Sequence, residues 1–170
     1  MKNIFTIAFL LLLFTSCTEE EKVDAAQNPD WKDRKASIEN YTEYHQGKTY
    51  LPVYSHIYHT EESEMFNLSN TISIRNVSLT DSIYILNADY YNTSGENIRH
   101  YLKYPIYLKP METIEIITTE KDNAGGSGAN FVFDWATKEG KNPPLFEAVM
   151  ISTYGQQGIS FTTRGVVISE

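Results

Sequence analysis

Three groups of residues in this 170-residue chain are of types that do chemistry, and their spacing limits what each can do. The first is the run Asp122-Asn123-Ala124-Gly125-Gly126-Ser127-Gly128-Ala129-Asn130. Glycines permit positive φ and let successive amides converge on an anion. The candidate ligand loop comprises Asp122, Gly125, Gly126, Ser127, Gly128 and Asn130, and the plainer reading is a tight connection between two strands. It lacks the Gly-Lys-Ser/Thr ending of a phosphate loop and the alternating carboxylates of an EF-hand. The second group is the histidines. His56 and His59 stand three apart in an expected strand, so their rings face opposite ways and cannot share a metal without a bulge. Neither a metal nor any cofactor is expected. The third group is the acids Asp89, Glu96, Glu115, Asp134 and Glu147, which could meet in space as a hydrolytic pair. No Gly-x-Ser-x-Gly elbow supplies a nucleophile, and Gly126-Ser127-Gly128 matches one only superficially. The expectation is a protein that is not an enzyme. The alternative is a hydrolase or metal-dependent enzyme built on the glycine loop and nearby acids.

Aromatic residues offer a different chemistry. Of the twelve Tyr, Tyr54, Tyr58, Tyr90, Tyr91, Tyr101, Tyr104 and Tyr107 fall in expected strands, where they either stack on sugar faces or simply satisfy the strand preference of their type. His56, Arg75 and Tyr91 are taken as candidate surface contacts. Sequons stand at Asn40, Asn67, Asn76 and Asn92. The balance of 14 basic against 22 acidic residues gives a net charge of −8. No nucleic-acid partner is expected, since that needs clustered Lys and Arg.

The elements that must position these residues start after an address. Lys2 gives a positive start and Ile4 to Phe14 is uncharged, eleven residues that fall well short of the about 20 a membrane span needs. The run ends in Phe14-Thr15-Ser16-Cys17, followed by Thr18 and Glu19-Glu20-Glu21. This resembles a bacterial lipoprotein signal, which implies cleavage before Cys17, diacylglycerol on its thiol and a membrane partner held through lipid. Phe14 departs from the Leu usual three residues before such a Cys. A lone Cys cannot form an internal disulfide, and two or more acyl chains anchor stably, so the lipid reading explains it better than a leftover thiol does. The acidic tract resembles the signal that sends some lipoproteins to the outer face of the outer membrane. It reads equally as a solvated leash on the periplasmic face.

Residues 1–16 are therefore assigned to a signal peptide, 17–47 to the lipidated Cys and a polar tether with an optional helix from Asp30 to Tyr44, and 48–170 to one domain. From Thr49 onward, short runs rich in Tyr, Ile, Val, Phe and Thr alternate with turn residues. Strands are expected over Tyr50–Tyr58, Leu68–Val77, Ser82–Tyr91, Ile98–Leu108, Thr113–Thr119, Asn130–Trp135, Phe146–Thr153 and Ile159–Ile168. About eight short strands predict an all-β, immunoglobulin-like antiparallel β-sandwich. Alternation nominates its core: Ile72 and Ile74; Leu86, Ala88 and Tyr90; Phe131, Phe133 and Trp135; and Ile114, Ile116, Val149, Ile151, Ile159 and Phe161.

Several strings together carry a family likeness: Val53-Tyr54-Ser55-His56-Ile57-Tyr58, Ser73-Ile74-Arg75-Asn76, Asp89-Tyr90-Tyr91, Gly125-Gly126-Ser127-Gly128-Ala129-Asn130-Phe131 and Gly158-Ile159-Ser160-Phe161. Over about Lys48 to Glu170 the chain resembles a bacterial family, domain of unknown function 3124. The resemblance implies small exported proteins, often lipoproteins, and carries over no catalytic residues. The expected role is a lipid-anchored binding module at the outer membrane or cell surface, with an envelope protein or a glycan as partner. A structural part in envelope assembly is a further alternative.

Overall fold

The computed structural model describes residues 30–36, 43–138, 141–153 and 158–169. The expected signal peptide, Cys17 and the tether up to residue 29 lie outside these residues. Among the described residues, twelve strands follow the 3₁₀ turn Lys32–Arg34. They are β1 (Tyr44–Pro52), β2 (His56–Tyr58), β3 (Met65–Asn67), β4 (Ser69–Arg75), β5 (Ile83–Tyr91), β6 (Asn97–His100), β7 (Ile106–Leu108), β8 (Thr113–Thr118), β9 (Asn130–Lys138), β10 (Leu145–Ser152), β11 (Ile159–Arg164) and β12 (Val166–Ser169).

The larger sheet runs β12-β1-β9-β5-β6, with β7 also paired to β5; the smaller runs β11-β10-β4-β8, and β2 pairs β3. The strand pairs are antiparallel. The architecture is an all-β sandwich, because each main sheet has one apolar face that only the other can cover. Phe131, Phe133 and Trp135 alternate inward along β9 while Val132 and Asp134 point out. Phe133 stacks on Phe146 of the smaller sheet with ring centroids 4.4 Å apart, so the two layers meet directly. The buried Trp135 indole N–H donates to Thr49 Oγ1 at 2.9 Å, which removes the cost of an unpaired donor in the core. One glycine joins the layers. Gly165 separates β11, at the edge of the smaller sheet, from β12, at the edge of the larger; its N–H donates to the Phe146 carbonyl at 2.8 Å. A Cβ at this crossing would stand 2.6 Å from Thr49 Cγ2, so only glycine passes without displacement.

Several expected features are corrected. The strand expected over Tyr50–Tyr58 starts six residues earlier, at Tyr44, and is interrupted between Pro52 and His56, where the Ser55 N–H turns to the Gly126 carbonyl. The run Ile98–Leu108 divides into β6 and β7, because the Tyr101 N–H still bonds Ala88 while the next four residues leave the ladder. The strand Met65–Asn67 was not expected; it pairs with β2. Leu86 is the bulge of β5: the register slips between Ile85 and Asn87, so Ile83 and Ile85 share the inner face with Ala88 and Tyr90. Ile159 and Phe161 are half-buried rather than central. Val149 and Ile151 face solvent, 38% and 45% exposed, while Phe146, Ala148 and Met150 are buried. Both faces of β10 are apolar, so alternation alone cannot choose between them. The pairing of Ala148 with Ile72 and Phe146 with Ile74 does.

Residues 30–36, expected as part of a free tether, lie on the sandwich. Trp31 packs against the core, the Ala36 N–H donates to Pro105 at 2.9 Å, and Arg34 pairs with Glu112 at 2.7 Å. Within the span of the helix expected from Asp30 to Tyr44, the described residues hold the 3₁₀ turn Lys32–Arg34 and the start of β1, and 37–42 lie outside them.

Candidate functional site

The glycine-rich loop connects β8 to β9 and is pinned from three sides. Thr93 donates to the Gly125 carbonyl from its N–H (2.9 Å) and its hydroxyl (3.1 Å), and its Oγ1 accepts from the Gly128 N–H at 2.9 Å. The Ser55 N–H donates to the Gly126 carbonyl at 2.9 Å, and the Gly126 N–H turns back to Asn123. Gly126 sits at φ +77°, where other residues are strained. The Gly126 and Gly128 amides are thus spent within the fold instead of converging on an anion. Ser127 is half-buried beside them, and Asn130 begins β9 on the opposite side of the sheet from the core.

Asp122 has an internal partner too. Its carboxylate is nearly buried and accepts from Arg99 Nη1 at 2.7 Å, while the same nitrogen donates to the Tyr101 hydroxyl at 2.8 Å. The guanidinium carbon lies 5.8 Å from the Tyr90 ring centre and 5.6 Å from that of Tyr101. Burial opposes the Arg99 charge, yet the bonds to Asp122 and Tyr101 outweigh it and hold the pKa above its ordinary value. Burial also pushes the Tyr90 phenol up to about 12, and its hydroxyl shares a 2.9 Å hydrogen bond with Ser55 Oγ. Arg99 and Ser55 were not among the expected site residues, and Tyr90 and Tyr101 were named only among the strand tyrosines, not with this loop. Their signal lay in the pairing of Tyr90 with Arg99 on the inner face of the β5–β6 hairpin.

The three candidate surface contacts lie on three different elements. His56 of β2 stacks edge-on with Tyr58, centroids 5.6 Å apart. Arg75 ends β4 with Nε 3.4 Å from Glu147, a contact without hydrogen-bond geometry. Tyr91 ends β5, opposite Asn130 on one side and Asn97 on the other. The expected stacking tyrosines also divide: Tyr90 and Tyr101 are buried, Tyr54 and Tyr104 lean on the core, and Tyr58 is exposed. The sequon residue Asn76 is buried, and its amide donates to the carbonyls of Asp81, Leu108 and Lys109, a structural role. Among the described residues no three His, Cys, Asp or Glu side chains gather closely enough to hold a metal.

Polar and aromatic groups do assemble on the outer face of the larger sheet. Strand register sets Tyr50, Val132, Asp89 and His100 in one row and Pro52, Asn130, Tyr91 and Asn97 in the next. His100 Nδ1 lies 2.6 Å from Asp89 Oδ1, and Asn87 donates to the other carboxylate oxygen at 2.6 Å, which fixes the imidazole with its second nitrogen toward solvent. Lys48 pairs with Asp134 beside this network. Neither His100 nor Tyr50 was singled out beforehand. The turn residues Asn92 to Gly95 could have indicated the hairpin that places Asp89 opposite His100.

No curated protein matches this chain. The crystal structure of Thermotoga maritima 1070 superposes with a TM-score of 0.41 at 11% identity, covering 71% of this chain and 92% of that one, a likeness too distant to interpret. The sequence comparison is firmer: residues 46–168, nearly the whole sandwich, match the family described as Protein of unknown function (DUF3124), and the chain belongs to that family.

Proposed function

We propose that this is an exported lipoprotein, anchored through acyl chains on Cys17 at the outer membrane, whose sandwich is a non-enzymatic binding module for an envelope glycan or protein. The run Lys2 to Phe14 and the small residues before Cys17 support the anchor. The outer face of the larger sheet carries the binding reading. There the exposed ring of Tyr50 on β1, the amide of Asn130 on β9, the half-buried ring of Tyr91 on β5, and Asn97 with the oriented His100 on β6 follow one another across the sheet. Rings of this kind stack on sugar or peptide planes, while fixed polar groups give direction.

Two measurements test this reading. Replacing Cys17 with Ser should move the protein from the membrane to the soluble fraction, and retention would refute the anchor. Purified protein on an array of bacterial envelope glycans, with affinity capture from native membranes as the protein arm, should give a ligand whose binding falls at least tenfold in Tyr50→Ala and Tyr91→Ala. Binding indifferent to both substitutions would remove the face from consideration.

A further inference from the structure

The segment around the 3₁₀ turn and the stretch between β6 and β7 enclose a cleft of about 290 Å³. Ala36 ties the two stretches together through its bond to Pro105, and Lys35 lies 5.5 Å over the Tyr104 ring. Trp31, Tyr101, Leu102 and Tyr104 line the cleft. Trp31 and Tyr104 pack on the core but stay half-buried, so part of each ring is open, whereas Tyr101 is nearly covered. Three charged residues complete the lining: Asp30, Lys32 and Lys103. Lys32 bonds Asp30 through its amide (3.2 Å) and its ammonium (3.0 Å), and these bonds, with the weaker charge of Lys103, hold the Asp30 carboxyl below its ordinary value. Lys103 is exposed and makes no ion pair among the described residues. The cleft therefore keeps one net positive charge in a chain whose total is −8.

We propose that this cleft binds one residue of an acidic sugar, of the uronic acid class, with the sugar ring against Trp31 and Tyr104 and its carboxylate on Lys103. Size limits the occupant: ordinary small-molecule pockets run to about 300–1,000 Å³, and this one, just below that range, has room for a single ring. The aromatic lining selects a molecule with a flat apolar face, which the C–H side of a sugar ring offers. Asp30 and Lys32 set an acceptor and a donor side by side, which suits neighbouring hydroxyls that both donate and accept. The unpaired ammonium of Lys103 selects the acid over its neutral counterpart, because a charge-assisted bond there breaks no existing ion pair. One net positive charge matches a carboxylate better than a phosphate, which carries about −1.5 to −2 at neutral pH. The cleft shares no residue with the outer-face rows and does not depend on the lipid anchor, so this proposal and the earlier one can fail separately.

Intrinsic fluorescence reads the cleft directly, because the chain has two Trp and the other, Trp135, is buried in the core. Titrating the purified protein with D-glucuronate should change the Trp31 emission saturably, with a Kd of about 1 mM, an ordinary affinity for so small a ligand. Trp31→Phe should lose the response. D-glucose, which has the ring without the carboxylate, and benzoate, a flat acid without hydroxyls, should each bind at least tenfold more weakly. Lys103→Ala should weaken glucuronate at least tenfold, toward the glucose value, while the thermal midpoint stays unchanged. Tyr50→Ala and Tyr91→Ala should leave glucuronate binding as it is, which separates this cleft from the outer face. Absence of a saturable response to glucuronate, glucose or benzoate bound as tightly as glucuronate, or binding indifferent to Lys103→Ala would each overturn the proposal.

Discussion

The hydroxyl of Tyr90 occupies the space that a side chain on Gly125 would need: an added Cβ would stand 2.0 Å from it and 2.7 Å from both Ser55 Oγ and Ala129 Cβ. The glycine is required by this close approach. Gly125→Ala should therefore destabilise the fold by about 1–3 kcal/mol, the usual cost of forcing a methyl into packed surroundings. Gly128→Ala, whose nearest neighbour would be Thr93 Cγ2 at 3.2 Å, should cost less. Urea denaturation of the two variants gives the comparison, and equal losses would show that the loop yields.

Arg99 and Asp122 should behave as a unit. Arg99→Met strands a nearly buried carboxylate, and a loss of about 3–5 kcal/mol is expected. Adding Asp122→Leu should recover part of that loss, because the uncompensated charge then disappears. A double-mutant cycle measures the coupling, and additive losses would mean that the pair is decorative.

Tyr90 sets an alkaline limit. Its phenol titrates near 10 in an unfolded chain and is pushed by burial to about 12 in the fold, a preference for the neutral form of about 2–3 kcal/mol. Between these values the unfolded chain has released a proton that the native state keeps. The contribution is complete below pH 10 and is lost as pH rises through about 12. Burial raises Tyr101 and Tyr84 as well, so phenolate absorbance should show several late-titrating tyrosines and one fewer in Tyr90→Phe, while an unchanged titration curve would reassign it.

The two faces of β10 should respond oppositely to substitution. Met150→Ala empties part of the core and should cost about 2–5 kcal/mol, whereas Ile151→Thr on the open face should stay within about 0.5 kcal/mol of wild type. Thermal or chemical unfolding distinguishes them.

Much of this sandwich was legible because burial on one face imposes a period of two: Ile72 with Ile74, and Phe131 with Phe133 and Trp135, point inward as their alternation indicates. Legibility ended where pairing rather than pattern decides. Leu86 left the inner stripe because a bulge intervened, and Val149 lost the core to Met150 because β10 is apolar on both sides. The site was less readable still. The glycines of the 122–130 loop signal an unusual backbone, but only the third dimension reveals Tyr90, Ser55 and Thr93 filling the space above them. The Asp89–His100 contact joins residues eleven apart through a hairpin register that composition does not encode.

Gly165 lets one continuous stretch of chain hem both layers along the same open side. A pulling force applied beyond β12 would first meet a single short ladder and unzip it rung by rung. It would then reach a corner fastened to Phe146, where the direction of loading changes from one layer to the other. Mechanically, the hem is a sacrificial stitch that gives way before the load arrives at the aromatic interior.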